Sequence, residues 1–245
     1  MSSIEFKGVT KAYGKKRALD NITLNLPSNQ INCIMGLSGS GKSTLLRHIN
    51  CLLEPTSGEV WVNGQNLMEL NTKALQQFRR KCVSMVFQHF GLLPHLSVIK
   101  NIEYGLRVQG VEPKERYKKA LYWLNEVGLK DNADSFPQDL SGGMKQRIGI
   151  ARAFACETPI LLMDEPFSAL DPITRTGLQT LLLDLQKKWQ KTVIFVTHDL
   201  DEAQRISDYV VLLDQGKVIQ TGTFDDFLTS PATPYVLEFM KSKAE

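Results

Sequence analysis

Two patterns of hydrophobic positions divide the chain into strand and helix regions. Apolar and polar residues alternate through IEFKGVTKAY and ITLNLP, and this period of two predicts short antiparallel strands near the N-terminus. Continuous apolar runs of strand length, QINCIMG, PILLMDE and KTVIFVTH, are typical of strands covered on both faces of a parallel sheet. GEVWVNG and CVSMVFQ predict further strands on either side of a polar helix candidate, TKALQQFRR. We therefore predict an α/β fold with a mixed sheet.

Helical periodicity replaces the strand pattern from about His89 to Ala155, for example in PKERYKKALYWLNEVGL and KQRIGIARAFA. We predict a helical lobe at residues 89–155, inserted into a core made of residues 1–88 and 156–245 of a single domain. TRTGLQTLLLDLQKKW is helical between two buried strands and predicts a βαβ unit. The chain closes with a predicted hairpin, YVVLLDQGKVIQTG, and a short terminal helix.

Composition places the protein among globular proteins: 42% of its 245 residues are hydrophobic, 22% charged and 8% aromatic. The net charge of +3 is spread along the chain, so it is too small to indicate nucleic acid binding. The four cysteines lie far apart and form no C-x-x-C pair, so we expect neither a zinc site nor disulfides.

No targeting segment is expected from the sequence. MSSIEFKG lacks the basic start and apolar run of a signal peptide. No apolar stretch approaches the ~18 to 20 residues that cross a bilayer. If the protein serves a membrane process, we expect another chain to supply the span.

A glycine-rich turn, GLSGSGKST, lies between the strand QINCIMG and a predicted helix, and it fits the pattern G-x-x-x-x-G-K-[ST]. Its glycines would let backbone amides face phosphate oxygens, and the helix would present its positive end. Lys42 would neutralise the β- and γ-phosphates and Ser43 would ligate Mg²⁺. The alternative is a purely structural turn. The candidate nucleotide-binding residues of this loop are Gly36, Leu37, Ser38, Gly39, Ser40, Gly41, Lys42, Ser43 and Thr44.

Two carboxylates end another predicted strand, ILLMDE. Asp164 would hold Mg²⁺ at the carboxyl edge of the sheet, where open α/β sheets bind ligands. Glu165 would orient and deprotonate the water that attacks the γ-phosphate. The alternative is an acidic strand end that caps the next helix.

Three further residues have open alternatives. His198 ends the buried strand VIFVT and would reach the γ-phosphate, although a lone histidine is often structural. Gln88 ends CVSMVFQ and could touch the metal while its loop moves with the helical lobe. Tyr13 could stack on adenine or simply pack.

LSGGMKQR, residues 140 to 147, also has the composition of an anion site. Ser141 and the amides of Gly142 and Gly143 would lie at the start of a helix, where a hydroxyl, N–H donors and the helix dipole favour an anion. The chain already has a phosphate loop, so this second site raises the question of which anion it serves.

In their order along the chain, these motifs resemble the ATP-binding cassette (ABC) ATPases, from about Ile4 to Met240. The resemblance implies a P-loop NTPase cassette with a mixed-sheet core, an N-terminal antiparallel β subdomain and a helical lobe. It also implies a head-to-tail dimer in which each ATP lies between the phosphate loop of one cassette and the LSGG segment of the other. It adds Gln146 to the signature residues Ser141, Gly142 and Gly143, and gives Asp171 of SALD a place at the dimer interface.

The finer resemblance is to ATPase subunits of quaternary-amine importers, in stretches such as FQHFGLLPHLSVIKNIEYGL and MDEPFSALDPITRTGLQ. It implies ATP and Mg²⁺ as cofactors, a second identical cassette, transmembrane permease subunits, and indirect action with a substrate-binding protein. The location implied is peripheral, on the cytoplasmic face of the inner (plasma) membrane. Since the sequence ends at Glu245 with no room for the CBS modules of many members, we expect no osmotic gating by such modules.

A groove near Gln88, with Phe90, Leu92 and Leu93, would receive a short helix of the permease, unless these residues only pack within the lobe.

Three function classes remain open at this point. The leading hypothesis is an ATPase that energises import of glycine betaine, proline or choline. The alternative is import of another small polar solute, such as an amino acid. A soluble ABC ATPase acting on DNA or ribosomes would usually have two cassettes or a coiled-coil insertion, and a small-metabolite kinase would have a lid in place of LSGG.

Overall fold

The structure is a computed structural model that describes residues 4–241. Part of the segment on which the signal-peptide expectation rests, and the chain end at Glu245, lie outside the described residues. The strands are β1 (Ile4–Tyr13), β2 (Lys16–Leu26), β3 (Ile31–Met35), β4 (Ser57–Val62), β5 (Gln65–Asn66), β6 (Val83–Val86), β7 (Ile160–Asp164), β8 (Thr192–Val196), β9 (Tyr209–Asp214) and β10 (Lys217–Gly222). The helices are α1 (Lys42–Ile49), α2 (Thr72–Lys81), α3 (Val98–Val108), α4 (Pro113–Glu126), α5 (Gly142–Ala155), α6 (Pro172–Trp189), α7 (Leu200–Ile206), α8 (Phe224–Thr229) and α9 (Pro234–Lys241).

Backbone contacts divide the chain into two compact units. The first unit contains the chain up to Leu75 together with the chain from Gln190 onwards, and the second is Gln76–Trp189. The segment predicted as a helical lobe, residues 89–155, lies inside the second unit, which also contains β6 and β7. The predicted lobe boundaries therefore stay a prediction.

The first unit contains an antiparallel sheet and a group of parallel strands. The antiparallel sheet has the order β2-β1-β4-β5, and it forms where the sequence alternates apolar and polar residues. β3 pairs in parallel with both β8 and β9, and β10 pairs antiparallel with β9. β3 and β8 are buried along their whole length, as their continuous apolar runs predict. The predicted mixed sheet is thus confirmed.

The second unit combines a parallel strand pair with a helical core. β6 and β7 pair in parallel, with Val83 opposite Ile160. Trp123 of α4 lies at the centre of the helices, 5.3 Å from the ring of Phe154 in α5 and 5.2 Å from that of Trp189 at the end of α6. Burial of Trp123 and Phe154 contributes much of the packing energy here, because aromatic side chains remove large apolar areas from water.

The hydrophobic pattern predicted these elements well, and the misses are short. The helix predicted from TRTGLQTLLLDLQKKW begins two residues earlier, at Pro172. The pattern gave no helix at α7, a seven-residue element whose N-terminus is set by the Asp199 side chain accepting from the amides of Asp201 and Glu202. Within the part of the chain that is described, no helix is both long and apolar enough to cross a membrane.

The aromatic cluster of the second unit generates a stability prediction. Trp123 is 2% exposed, so Trp123→Ala should lower the free energy of unfolding by about 3 to 5 kcal/mol through lost burial and a residual cavity. Tyr117→Ala, on the same helix but 50% exposed, is the matched control and should change it by less than about 0.5 kcal/mol. Urea unfolding followed by circular dichroism measures both, and equal losses would contradict this description of the core.

Candidate functional site

The phosphate loop connects β3 to α1 in the first unit, as the motif predicts. Lys42, the first residue of α1, is only 5% exposed, and its Nζ donates to the carbonyl oxygens of Gly36 and Leu37, both at 2.8 Å. The Ser40 amide donates to the Leu37 oxygen at 3.2 Å, which closes the loop on itself. The buried ammonium is therefore held inside the curve of the loop, where its charge can neutralise an anion.

Gly41 shows why this loop needs glycine. Its φ is +108°, and an added Cβ would lie 2.5 Å from the carbonyl oxygen of Ala18 in β2, so no side chain fits. The residues Leu37, Ser38 and Gly39 form an exposed tip, whereas Ser43 and Thr44 are half-buried on the first turn of α1. The loop thus presents backbone and small hydroxyl groups near a helix N-terminus, the usual composition of a phosphate cradle.

His198 and Tyr13 also belong to the first unit, and both are exposed. The backbone around His198 is fixed by Thr197, whose hydroxyl donates to the buried Glu202 at 2.6 Å and accepts from the Asp199 amide at 3.0 Å. Tyr13 is 51% exposed at the end of β1, with the Lys11 ammonium 5.3 Å from its ring centroid. About half of the Tyr13 side chain is therefore open to solvent, as stacking on a base requires.

The predicted carboxylates lie at the end of β7 in the second unit. Asp164 is 7% exposed, and Glu165 has a left-handed φ of 45°. A non-glycine residue with this φ is uncommon, and such strain is found preferentially at functional sites. The Gln88 amide nitrogen lies 3.3 Å from Glu165 Oε2, so the structure brings together two of the predicted catalytic residues.

The LSGG segment starts α5, as predicted. Ser141 is the N-cap of the helix, and its Oγ accepts from the Met144 amide at 3.3 Å. Gly142 and Gly143 follow in the first turn, where the helix offers no carbonyl acceptor to their amides. Thr174 lies so close to Gly143 that a Cβ there would meet its methyl group at 2.3 Å. Hydroxyl and amide donors therefore converge at this helix start.

Asp171 is exposed immediately before α6. The hydroxyl and amide of Thr174 hydrogen-bond its carboxylate and hold the pKa of Asp171 below its usual range. The amide contact measures 3.0 Å. Asp171 is therefore an ionised group on the surface of the loop at neutral pH, in agreement with a position where it could meet another molecule.

Gln146 lies one turn into α5, among the buried residues of that helix. The resemblance placed it among the residues that contact a partner's nucleotide, but its side chain is 0% exposed. Its amide nitrogen donates to the Pro166 carbonyl at 2.7 Å, so it ties the signature helix to the segment after Glu165. The position one turn into α5 faces the core in the single chain, and contact of Gln146 with a partner's nucleotide stays a prediction.

Ser168 is a functional candidate that the sequence did not reveal. Its hydroxyl lies 3.3 Å from the Gln88 amide nitrogen and donates to the Glu165 carbonyl at 3.1 Å. It therefore helps to orient both residues. The only available signal was its place as the first residue of SALD, which suggested the loop but no partner.

The model of the family described as "ABC transporter" matches residues 19–168. The glycine betaine/carnitine transport ATP-binding protein GbuA of Listeria monocytogenes is 46% identical over 98% of this chain and 67% of its own length. ProV of Escherichia coli, a glycine betaine/proline betaine transport system ATP-binding protein, is 45% identical over 96% of this chain and 61% of its own length. The glycine betaine transport ATP-binding protein OpuAA of Bacillus subtilis is 47% identical over 96% of this chain, which spans 56% of its length.

A solved structure gives the same result. The dimeric post-hydrolysis state of the ATP-binding cassette MJ0796 bound to ADP and Pi has a TM-score of 0.82 with this chain at 38% identity. The similarity covers 90% of this chain and 98% of that one. Since the family model covers more than half of the chain and the motifs have the geometry described above, the chain belongs to the ABC transporter family, as an ATP-binding cassette.

Proposed function

We propose that the protein hydrolyses ATP and thereby energises an ABC importer for an osmoprotectant such as glycine betaine, proline or choline. The observation that carries the ATPase proposal is the phosphate loop, with a buried lysine held by two loop carbonyls. ATP is the nucleotide because the relatives are named ATP-binding proteins.

The first unit supplies the groups that bind the nucleotide. The Tyr13 ring stacks on adenine, the amides of the loop from Gly36 to Thr44 face the phosphates, and Lys42 neutralises their charge. The Ser43 hydroxyl is a hard oxygen ligand of the kind that Mg²⁺ prefers. His198 orients the γ-phosphate from the end of β8.

The second unit supplies the groups that act on water. Glu165 accepts the proton of the attacking water, and Gln88 orients that carboxylate by the hydrogen bond already present. Ser168 accepts from the Gln88 amide and donates to the Glu165 main-chain carbonyl, so it holds both residues in place. The nearly buried Asp164 carboxylate and the Gln88 side chain add oxygen ligands suited to Mg²⁺. Held by these groups, Mg²⁺ would neutralise charge that develops on the phosphate oxygens.

A second copy of the chain completes the site in this proposal. Ser141 with the amides of Gly142 and Gly143 forms a cluster of donors that the chain's own phosphate loop does not require. Directed at the γ-phosphate of a partner's ATP, such donors stabilise developing charge. Asp171 lies along the same dimer interface. ATP would therefore join two cassettes and hydrolysis would release them.

A cleft in the second unit is the candidate site for the permease. Its volume is about 370 Å³, and it is lined by Phe87, Tyr104 and Val108 together with Arg79, Arg80 and Arg152. Apolar walls with cationic groups suit a short amphipathic helix of a transmembrane subunit. The three apolar residues predicted for this groove do not line the cleft; Phe90, for example, extends towards Gly142.

The most specific parts of the proposal are the transported solute and the cellular location. The relatives' names support a quaternary-amine or similar osmoprotectant, handed over by a substrate-binding protein that this chain does not touch. The place of action is the cytoplasmic face of the plasma membrane. Import of another small polar solute, such as an amino acid, is the alternative.

Glu165→Gln tests the catalytic base. Loss of the proton acceptor should lower ATP hydrolysis at least about 100-fold while ATP binding is kept, because a positioned base contributes about 10²- to 10⁴-fold. The variant should elute as a dimer from a sizing column in ATP and as a monomer without it. Glu157→Gln, an exposed carboxylate in the same unit, is the control and should keep wild-type turnover. A variant that remains monomeric in ATP would refute the proposed mechanism.

Ser141→Ala tests the signature segment. Hydrolysis should fall about 100- to 1,000-fold through a lost donor, with the Kd for ATP of the isolated chain unchanged. Since the substitution also removes a helix cap worth about 1 kcal/mol, Thr223→Ala is the matched control. Thr223 caps α8 with the same 3.3 Å bond to the third helical amide as Ser141 makes in α5. An equal loss of hydrolysis in both variants, or a large loss of ATP binding in Ser141→Ala, would contradict the assignment.

Uptake experiments test the solute. Cells that carry the chain with its permease should accumulate labelled glycine betaine, choline or proline, and Glu165→Gln should abolish that uptake. Labelled neutral amino acids other than proline serve as the comparison. Failure with all three osmoprotectants would remove the solute assignment and leave the ATPase proposal intact.

A further inference from the structure

The turn between β9 and β10 contacts the phosphate loop and β2, which lie outside its own hairpin. Gln215 and Gly216 form a two-residue connection between the paired residues Asp214 and Lys217, with φ values of 45° and 78°. Two successive positive φ values are typical of the tight turns that fit the twist of a hairpin, and glycine is favoured at the second position. The hairpin explains the glycine's φ but leaves its outward backbone groups free to bond elsewhere.

The two backbone polar groups of Gly216 bind two different elements of the first unit. Its N–H donates to the carbonyl oxygen of Ser40 in the phosphate loop at 3.0 Å. Its carbonyl accepts from the Asp20 amide in β2 at 2.8 Å. β2 pairs with β1, which ends at Tyr13. One residue therefore connects the phosphate loop to the hairpin that carries the candidate adenine-stacking ring.

These elements pack backbone against backbone. A Cβ on Gly216 would lie 2.9 Å from the Ala18 carbonyl oxygen and 3.1 Å from its carbon. The same Ala18 oxygen excludes a side chain at Gly41. A Cβ on Gly36 would lie 2.2 Å from the Leu213 carbonyl oxygen in β9. Movement of the turn would therefore shift both β2 and the loop, since the contacts of Gly216 with Ala18 and Ser40 are made by backbone atoms.

We propose that Gly216 is a positioning residue that fixes the distance between the phosphate loop and the Tyr13 hairpin, and so sets the spacing between base and phosphate subsites. The inference rests on the proposed function, in which ATP occupies both subsites. In this proposal Gly216 acts through its bonds to Ser40 and to Asp20 of β2, and not as a ligand of the nucleotide.

The spacing between the subsites matters because the base and the phosphates of ATP belong to one molecule and are joined by the ribose. Binding at one subsite raises the effective concentration of the other half of the molecule only when the distance between subsites matches the linker. A displacement of an ångström removes much of that advantage. A ligand that occupies the phosphate loop alone gains nothing from the spacing.

The test compares Mg·ATP with Mg·tripolyphosphate, which lacks the base and the sugar, by isothermal titration calorimetry. Gly216→Ala should raise the Kd for ATP about tenfold, equal to about 1.4 kcal/mol, and change that for tripolyphosphate less than about twofold. Gly64→Ala is the matched control. Gly64 lies in the β4–β5 turn with a φ of +75°, close to that of Gly216, but an added Cβ there would meet nothing within 4 Å. It should leave both constants unchanged.

Two results for the variant would overturn the inference. An ATP affinity equal to that of Gly64→Ala would show that the turn does not position the loop. An equal loss for ATP and tripolyphosphate would show that Gly216 merely supports the loop. A wild-type protein that does not bind ATP would instead refute the proposed function, and with it the inference.

A second measurement needs no variant, in case Gly216→Ala does not fold. Hydrogen exchange of the Gly216 amide in the wild-type protein should slow when Mg·ATP binds, because a ligand across both subsites keeps its bond to Ser40 closed. Mg·tripolyphosphate at the same occupancy should slow it less. Equal exchange with both ligands, or no change with ATP, would overturn the proposal.

Discussion

The close approach of backbone to backbone around the phosphate loop is the constraint on which the rest of the structure depends. The Ala18 carbonyl lies against Gly41 and Gly216, and the Leu213 carbonyl lies against Gly36. A methyl group at any of these glycines would separate the strands from the loop. β2 and the β9–β10 hairpin therefore enclose from outside the loop whose carbonyls hold Lys42 inside its curve. The nucleotide site is in this sense built by strands that supply no ligand of their own.

In the proposed function, the second unit has a different task, which is to hold the Glu165 carboxylate ready to act on water. Gln88, Glu165 and Ser168 form a small hydrogen-bonded group. The left-handed backbone at Glu165 is a local cost that the buried strand before it and the network after it offset. Gln146 adds a buried tie from the signature helix to Pro166. The donor cluster at Ser141 and the carboxylate are thus joined within one unit, although each serves a different nucleotide in the proposed dimer.

Much of the fold could be predicted from the sequence because its patterns are strong. Strands such as Ile31–Met35 and Thr192–Val196 are uninterrupted apolar runs, and α4 and α5 follow helical periodicity. The motif of the phosphate loop is also local, since its glycines, lysine and serine lie within one turn of the chain. Short elements such as α7 were missed because seven residues with a polar cap carry little periodic signal. Phe90, Leu92 and Leu93, predicted for the permease groove, do not line the cleft proposed for the permease, and the position of that groove stays a prediction.

The sequence by itself determined the order of the motifs, the strands and helices that carry them, and the residue types able to bind phosphate, metal and water. Only the tertiary structure decided that Gln146 is buried, that Ser168 joins Gln88 to Glu165, and that Gly216 bonds to both Ser40 and Asp20. The physical reason is the same in each case. Such contacts join residues far apart in the chain, and their direction depends on how whole elements pack, which no local pattern of hydrophobic and polar residues specifies.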